Sequence, residues 1–428
     1  MFKTISGSKL ADCSKSLFSK LDPLARETEL IVRKSHKFSA EGFVLGIFKA
    51  VINGKASLNQ IARNMGQSEG KAMTRQAVHK RVDQSAVAFM MSATGQAIKE
   101  RWDDKALIVT RRFNRVIIED SSQARTDKRN AKDFPGHGND KGKTAGCKID
   151  LAFDLLTGEP IMEALHLATA QDRELGKDLV DMVKPFDLIL RDMGYFSTVE
   201  FKRVESSNAF WLSRLPVSVK ACDLGGRKLE TILRTTKGNE IDCDMSIGDA
   251  LHPARLIAVR ASPKVARERR RLRREQARKL GKNPNQDMLT RDAWHIIITN
   301  VGEELMKTSE IFDLYSVRWQ VENIFRAWKQ AGQLVKALAR RSNQFHLETL
   351  MYGAILLLIL TMKTASLLRK IFSRYQLSIE NIADDLAAFI LTLASLDRFP
   401  DYNPDPRHLK MDKRSRESLH QTAVRCLS

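Results

Sequence analysis

Cysteine is scarce in this chain, and the few cysteines present are not arranged as metal ligands. The five lie at Cys13, Cys147, Cys222, Cys243 and Cys426. None forms a Cys-x2-Cys pair, and none has a histidine partner at the spacing of a zinc site. The pattern excludes a disulfide-rich secreted scaffold and predicts reduced thiols in a cytoplasmic protein.

Long apolar runs are also missing from the sequence. The longest, from Gly353 to Met362, is too short to cross a bilayer and is followed by Lys363, which favours a buried core helix. The first eight residues contain no apolar segment, so no signal peptide is predicted. We therefore expect no membrane partner.

Acidic residues are the minority charge. The chain has 51 Asp and Glu against 71 Lys and Arg, a net charge of +20, and its pI is near 9.8. This excess predicts a polyanionic partner, and nucleic acid fits it better than an anionic membrane. With 428 residues, 43% of them hydrophobic, the chain is long enough for two or three globular domains.

One stretch places four polar side chains on a single helical stripe. At 100° per residue, Tyr315, Arg318, Glu322 and Lys329 share one narrow face of an α-helix. One acid among two cations and a phenol suits a metal-binding carboxylate beside bound phosphates. The alternative is a solvated amphipathic helix, but apolar residues flank the stripe, which favours a cleft.

The spacing Tyr-x2-Arg-x3-Glu-x6-Lys resembles the signature of bacterial DDE transposases of the insertion-sequence-four type. The resemblance covers about residues 100 to 345. It implies an α/β fold: a ribonuclease H-like mixed sheet interrupted by a β-rich insertion, between an N-terminal helical DNA-binding region and a C-terminal helical region.

Two buried strands end in acids, where open α/β sheets keep their polar chemistry. Asp120 follows a β-branched run that starts at Arg115, with Glu119 on the other face as a competitor, and Asp192 ends a second apolar run. The sequence around Asp120 resembles the first acidic strand of the transposase group loosely, and the sequence around Asp192 resembles the second more closely. With Glu322, these acids would complete the DDE set.

Residues 1–100 read as helical and contain a candidate helix-turn-helix. One helix is expected from Leu58 to Gly66, and a second, capped by Thr74, extends through Phe89. Its first turns present Arg75, His79 and Lys80 outward, as a DNA-reading helix would. An ordinary helical bundle with a basic surface is the alternative.

Between Asp192 and Glu322 lies the predicted β-rich insertion. It includes a basic helical run from Lys264 to Lys282, with ten Lys or Arg against two Glu, which is best explained by bound phosphates. In the resembled group this region grips DNA, and Trp294 matches a position where some members stack a tryptophan on a flipped-out base. A simple core tryptophan is an equal alternative for Trp294.

These observations divide the chain as 1–100, the helical N-terminal region; 101–215, the first part of the catalytic domain; 216–300, the insertion; 301–345, the catalytic helix; and 346–428, a C-terminal helical region. In the resembled group the corresponding C-terminal region helps to pair two subunits, so the resemblance implies the same role here. Within the last region, the stretch from Arg407 to Arg425 is expected to be poorly ordered.

The resemblance implies a transposase that cuts the ends of its own element and joins the 3′-OH to target DNA. It would use two Mg²⁺ ions, or Mn²⁺ in their place, held by Asp120, Asp192 and Glu322. Tyr315, Arg318 and Lys329 would hold phosphates. The partner is double-stranded DNA bound by a homodimer on paired ends, in a bacterial cytoplasm and at the nucleoid. The rivals are a non-catalytic sequence-specific DNA-binding protein and a ribonuclease H-like metal-dependent nuclease.

Overall fold

The computed structural model describes residues 7–33, 38–100, 110–138, 144–318, 343–371 and 419–427, with 108, 322, 325 and 334–338. These residues fall into two compact units. The first unit consists of Met1–Leu107, Asp120–Ala170 and Trp319–Ser418. The second unit consists of Ile108–Glu119, Gln171–Arg318 and Leu419–Ser428.

The first unit is built around a long central helix. Its helices are α1 Gly7–Glu27, α2 Ala40–Ile52, α3 Leu58–Glu69, α4 Arg75–His79, α5 Gln84–Lys99, α12 Leu334–Leu338 and α13 Gln344–Ile371. Helix α13 packs against α2 and α5. Gly353 allows the close approach, because a Cβ there would lie 2.3 Å from the Ile47 side chain. The most apolar part of α13 is longer than the run from Gly353 to Met362 on which the prediction was based.

That part, Gln344–Leu367, is long and apolar enough to span a membrane by length and composition, and is the one such segment among the described residues. However, 94% of its most apolar window is buried inside the protein. Buried Lys363 forms an ion pair with Glu159 and donates a hydrogen bond of 2.6 Å to the Glu100 carbonyl. The expected core helix is therefore confirmed, although the length argument for it was wrong.

The candidate helix-turn-helix differs from its prediction at two helix ends. Helix α3 continues past Gly66 and ends at Gly70, whose left-handed φ of +62° suits a residue without a Cβ. Thr74 caps α4 as expected, but α4 is only five residues long. A separate helix, α5, begins after Asp83, whose side chain caps it. The expected single helix from Thr74 to Phe89 is therefore wrong.

The sheet strands of the first unit follow the N-terminal helices. Strand β1, Arg115–Arg125, is shared: residues 115–119 belong to the second unit and residues 120–125 to the first. Strands β2, Gly146–Asp154, and β3, Pro160–Leu167, form an antiparallel pair. The order in this unit is β3-β2-β1.

Within the second unit the strand order is β1-β4-β5-β9-β8-β7-β6. Its further strands are β4 Asp187–Arg191, β5 Phe210–Arg214, β6 Ala221–Asp223, β7 Glu240–Ile247, β8 His252–Arg260 and β9 Trp294–Thr299. Strand β4 is parallel to both β1 and β5. Helices α6 Asp172–Val180 and α7 Thr198–Ser206 precede β4 and β5 in the chain, as connections between parallel strands require.

Three strands, a helix, a strand, a helix and a fifth strand are the order expected for a ribonuclease H-like domain, so that prediction is confirmed. The insertion extends this sheet, since β9 pairs antiparallel with β5 and is followed outward by β8, β7 and β6. It also contains α8 Leu229–Thr235, α9 Pro263–Lys279 and α10 Gln286–Arg291. The prediction of a β-rich insertion with a basic helix agrees with these elements.

The second unit ends with two helices that pack together. Helix α11, Thr308–Val317, contacts helix α14, Leu419–Leu427. Arg425 pairs with Asp313 at 2.9 Å, and the Cys426 carbonyl accepts a hydrogen bond from Arg112 at 3.1 Å. The end of the supposedly poorly ordered stretch, Arg407–Arg425, is thus part of an ordered helix. The earlier part of that stretch lies outside the described residues.

Candidate active site

Asp192 lies immediately after β4, in the second unit. All five residues of β4 are buried, so the strand fixes the backbone from which this carboxylate projects. The Asp192 side chain is 37% exposed. Its Oδ1 accepts a hydrogen bond from the Tyr315 hydroxyl at 3.4 Å and lies 3.9 Å from the Arg318 guanidinium. Asp192 is therefore an open carboxylate held from one side.

Tyr315 also binds the backbone of β4, because its hydroxyl lies 3.2 Å from the Arg191 carbonyl oxygen. Burial raises the pKa of Tyr315 well above its usual value of 10, Asp192 raises it further, and Arg318 and Arg214 oppose the rise. The phenol therefore stays neutral in the physiological range. It can donate a hydrogen bond to Asp192 or to a phosphate, and it is a poor nucleophile.

Only two residues of the predicted helical stripe lie together among the described residues, so the stripe as a whole stays a prediction. Tyr315 lies in α11 and Arg318 caps the end of that helix, whose Ile311, Leu314 and Val317 are fully buried. Helical Glu322 is half-buried. Lys329 lies outside the described residues. The structure thus brings Asp192, Tyr315 and Arg318 together within the second unit.

Asp120 is half-buried on β1, and its Oδ1 accepts a hydrogen bond from the Ser121 backbone at 2.8 Å. Asp120 and Glu322 belong to the first unit, and Asp192 belongs to the second. Within the described parts of the chain, no three His, Cys, Asp or Glu side chains form a group that could hold a metal ion. The three-acid ligand set therefore stays a prediction.

Glu119 is fully buried, on the opposite face of β1 from Asp120. It forms an ion pair with Arg191, with 2.5 Å between Oε2 and Nε. Arg191 is only 3% exposed. A carboxylate enclosed with a guanidinium is not open to a metal and a phosphodiester. This environment favours Asp120 over Glu119 as the catalytic candidate on β1.

Arg214 is a further basic residue of the site that sequence reasoning missed. It ends β5, beside β4, and lowers the pKa of both Arg269 and His295, in each case after the larger effect of burial. The Arg214 side chain has no hydrogen bond or ion pair among the described residues. The available signal in the sequence was its place at the end of a strand-forming run, where open α/β sheets carry their polar chemistry.

A cavity of about 280 Å³ opens beside these residues within the second unit. It is lined by Met193, which follows Asp192, and by Arg214, Arg269, Arg273 and Trp294, among others. Most of the charged lining groups are guanidinium groups, and Arg273 is neutralised by Asp292 at 2.6 Å. The cavity therefore favours an anionic or aromatic occupant.

Trp294 is 3% exposed, with the Arg260 guanidinium 4.4 Å from its ring centroid. Its backbone carbonyl accepts a hydrogen bond from Arg269 at 3.1 Å. The residue is thus a buried aromatic that also lines the cavity. Its burial agrees with the core alternative, and stacking on a base stays a prediction.

Helix α9 has two different basic faces. Arg269, Arg270 and Arg273 bind groups of the protein itself. The other face is exposed and repeats every three or four residues; we call it the α9 stripe, and it consists of Lys264, Arg267, Arg271, Arg274 and Arg278. Among the described residues, Lys264, Arg274 and Arg278 have no side-chain partner. The stripe is a solvent-facing row of cations.

In the first unit, Arg75, His79 and Lys80 are all exposed, as predicted. Val78 and Val82 are buried on the opposite side. The basic surface of the candidate helix-turn-helix is therefore present. Its contact with DNA stays a prediction.

Comparison with known proteins connects these features. A family model described as "Transposase DDE domain" matches residues 111–359, more than half of the chain. The chain belongs to the transposase DDE domain family. As a DDE transposase it is a metal-dependent enzyme that cuts and joins DNA, so the transposase prediction is confirmed. The matched range contains all three predicted acids and the insertion.

Relatives of this DDE transposase include enzymes of other bacterial insertion sequences. The transposase for element IS231B of Bacillus thuringiensis subsp. berliner is 25% identical over 376 residues, which cover 82% of this chain and 78% of that protein. The transposase for IS231D of B. thuringiensis subsp. finitimus is 27% identical over 378 residues, with the same coverage. The transposase for IS1151 of Clostridium perfringens is 25% identical over 384 residues, covering 82% and 80%.

Among solved structures, the piggyBac transposase synaptic complex with hairpin DNA has a TM-score of 0.45 and 11% identity, covering 96% of this chain and 83% of that chain.

Proposed function

We propose that this transposase cuts the ends of its own insertion sequence and joins the freed 3′-OH to target DNA, with Asp120, Asp192 and Glu322 as the metal-binding acids. The observation that carries the proposal is Asp192, an open carboxylate at a buried strand end held by Tyr315. Its Oδ2 accepts no hydrogen bond from any described residue, so this oxygen is available to a divalent cation.

The donor set fits Mg²⁺, because carboxylate oxygens are the ligands that this ion prefers, with Mn²⁺ as a substitute. When bound, a pair of such ions would supply a polarised nucleophile and neutralise charge on the leaving 3′ oxygen. Tyr315 keeps the Asp192 carboxylate oriented and, being neutral, adds no charge. Arg318 lies where it can neutralise a phosphate beside that carboxylate.

DNA would be held by several cationic surfaces. Arg214 and Lys329 join Arg318 as phosphate-binding residues, and the α9 stripe follows the backbone outside the cut site. Trp294 would accept an unstacked base in the cavity, once Arg260 moves from its ring. In the first unit, Arg75, His79 and Lys80 would contact the element end. We also propose a homodimer on paired ends, acting in the cytoplasm.

The test uses Asp192→Asn and Glu322→Ala with DNA that carries the terminal repeats of the element. Both variants should bind end DNA like the wild type, yet lose Mg²⁺-dependent strand cleavage by at least about a thousandfold, since each removes an anionic ligand. The matched control is Asp313→Asn on α11, a half-buried acid whose partner is Arg425. It should cleave normally.

Retained cleavage in either acid variant would remove that acid from the mechanism. Joined products on a target plasmid distinguish the transposase from the nuclease alternative, because a nuclease leaves only cut ends. An absence of metal-dependent cutting by the wild type would leave only a DNA-binding protein.

A further inference from the structure

The buried pair formed by Glu119 and Arg191 is not used by the proposed chemistry. Each residue directly precedes one of the proposed catalytic acids, Asp120 or Asp192, in the sequence. Because side chains alternate along a strand, Glu119 faces away from the side on which Asp120 projects. Neither member of the pair is exposed to metal or DNA.

The guanidinium of Arg191 is enclosed on several sides within the second unit. Besides Glu119, it contacts the Gly176 carbonyl of α6 at 2.5 Å and lies 5.8 Å from the Tyr195 ring centroid. Gly176 makes this space, since a Cβ there would lie 3.2 Å from the Arg191 guanidinium. The site is therefore built for a charged pair.

A second ion pair lies four residues earlier on the same two strands. Arg115 and Asp187 are paired in register and joined by Nε–Oδ1 and Nε–Oδ2 contacts of 3.0 and 3.1 Å. Along β1 the cation Arg115 therefore precedes the anion Glu119. Along β4 the order is reversed, with the anion Asp187 before the cation Arg191. The last paired residues before the second ion pair are Ile118 and Leu190.

This charge order selects one register. A slip of two residues, the smallest that keeps each side chain on its own face, would leave Glu119 and Arg191 buried without partners. A slip of four residues would bring like charges opposite each other, Arg115 against Arg191 or Glu119 against Asp187. Buried ion pairs add little net stability, but specifying a register is the best supported use of them.

We propose that Glu119 and Arg191 are a positioning pair, which fixes the register of β1 against β4 and so places Asp120 and Asp192 for metal binding. The proposal rests on the assignment of those two acids as metal ligands. The hydrogen bond from Tyr315 to the Arg191 carbonyl extends the positioning to the helix that precedes Glu322.

The test compares Glu119→Gln with Glu230→Gln. Glu230 is 8% exposed and pairs with buried Arg291 at 2.5 Å in the insertion, so its loss removes an equivalent buried ion pair away from β1 and β4. Mn²⁺ binding is measured from the electron paramagnetic resonance of free Mn²⁺. The half-saturating Mg²⁺ concentration for cleavage and the Tm are measured in parallel.

Glu119→Gln should raise the Mn²⁺ dissociation constant and the half-saturating Mg²⁺ concentration at least tenfold. Glu230→Gln should leave both metal constants within twofold of the wild type, even though its Tm should fall by about as much as the Tm of Glu119→Gln. Glu119→Asp, which keeps the charge, should recover part of the loss. If Glu119→Gln does not fold, Arg191→Lys is measured in its place, with the same tenfold rise expected.

Metal constants within twofold of the wild type in the folded variant, or an equal rise in Glu230→Gln, would overturn the positioning role. That result would leave the proposed function intact as long as Asp192→Asn abolishes cleavage. Conversely, full cleavage by Asp192→Asn would overturn the proposed metal-binding role of Asp192, and the positioning role that rests on it would fail as well.

Discussion

The α9 stripe gives a quantitative prediction about how this transposase binds DNA. Lys264, Arg274 and Arg278 are exposed and have no side-chain partner among the described residues, so each is available to a phosphate. A cation that neutralises one phosphate of double-stranded DNA releases about 0.9 of a counterion. Replacing all three by alanine should therefore reduce the slope of log K against log salt by about 2.7.

The reduced slope has a measurable consequence. Between about 50 and 200 mM salt, the wild type should lose roughly 40-fold more affinity than the triple variant. The loss should be the same for end DNA and unrelated DNA, because phosphate contacts carry no sequence information. Fluorescence anisotropy of labelled duplexes at four or five salt concentrations measures both slopes.

Matched single variants control for the lost charge. Arg274→Ala should reduce the slope by about 0.9, whereas Lys184→Ala should leave it unchanged. Lys184 is also exposed, but it precedes β4, at the opposite end of that strand from Asp192. The Tm of every variant should match the wild type, since exposed unpartnered side chains contribute little to folding. An unchanged slope in the triple variant would refute phosphate contact by α9.

Two further predictions concern the first unit. Burial raises the pKa of Glu163 to about 7 from 4.5, so stability should fall as the pH rises between those values. Glu163→Gln should remove this loss and gain on the order of 3 kcal/mol above pH 7 in denaturant unfolding; an unchanged pH dependence would contradict the assignment. Gly353→Ala should lose about 1 to 3 kcal/mol because its Cβ would overlap Ile47. The same change at Gly95 of α5, where a Cβ meets nothing, should instead gain about 0.5 to 1 kcal/mol, and equal effects on Tm would refute the packing argument.

Local patterns were enough to predict the parts of the site that depend on one element. The apolar run before Asp192 predicts β4 because buried strands end where polar residues begin. The spacing of Tyr315 and Arg318 predicts a shared face because helix geometry repeats every 3.6 residues. Both predictions depend on residues fewer than ten positions apart.

Features that depend on distant residues could not be predicted in this way. Glu119 and Arg191 are 72 positions apart, and no local signal says that the acid beside Asp120 has a buried partner. The end of α3 was misplaced for a related reason. Gly66 and Gly70 are equivalent by composition, and only the backbone conformation shows that Gly70 adopts the left-handed φ that ends the helix.

The charges around the cavity support a bound polyanion independently of any relative. Burial and the repulsion from Arg214 lower the pKa of Arg269, and Asp292 opposes this shift only in part. Two cations held together in a partly buried place destabilise the folded chain unless an anion joins them. Arg273 has such an anion in Asp292, but Arg214 has none among the described residues. A phosphate beside Arg214 would remove this repulsion, so the chain has the charge distribution that DNA binding requires at the edge of the sheet where Asp192 lies.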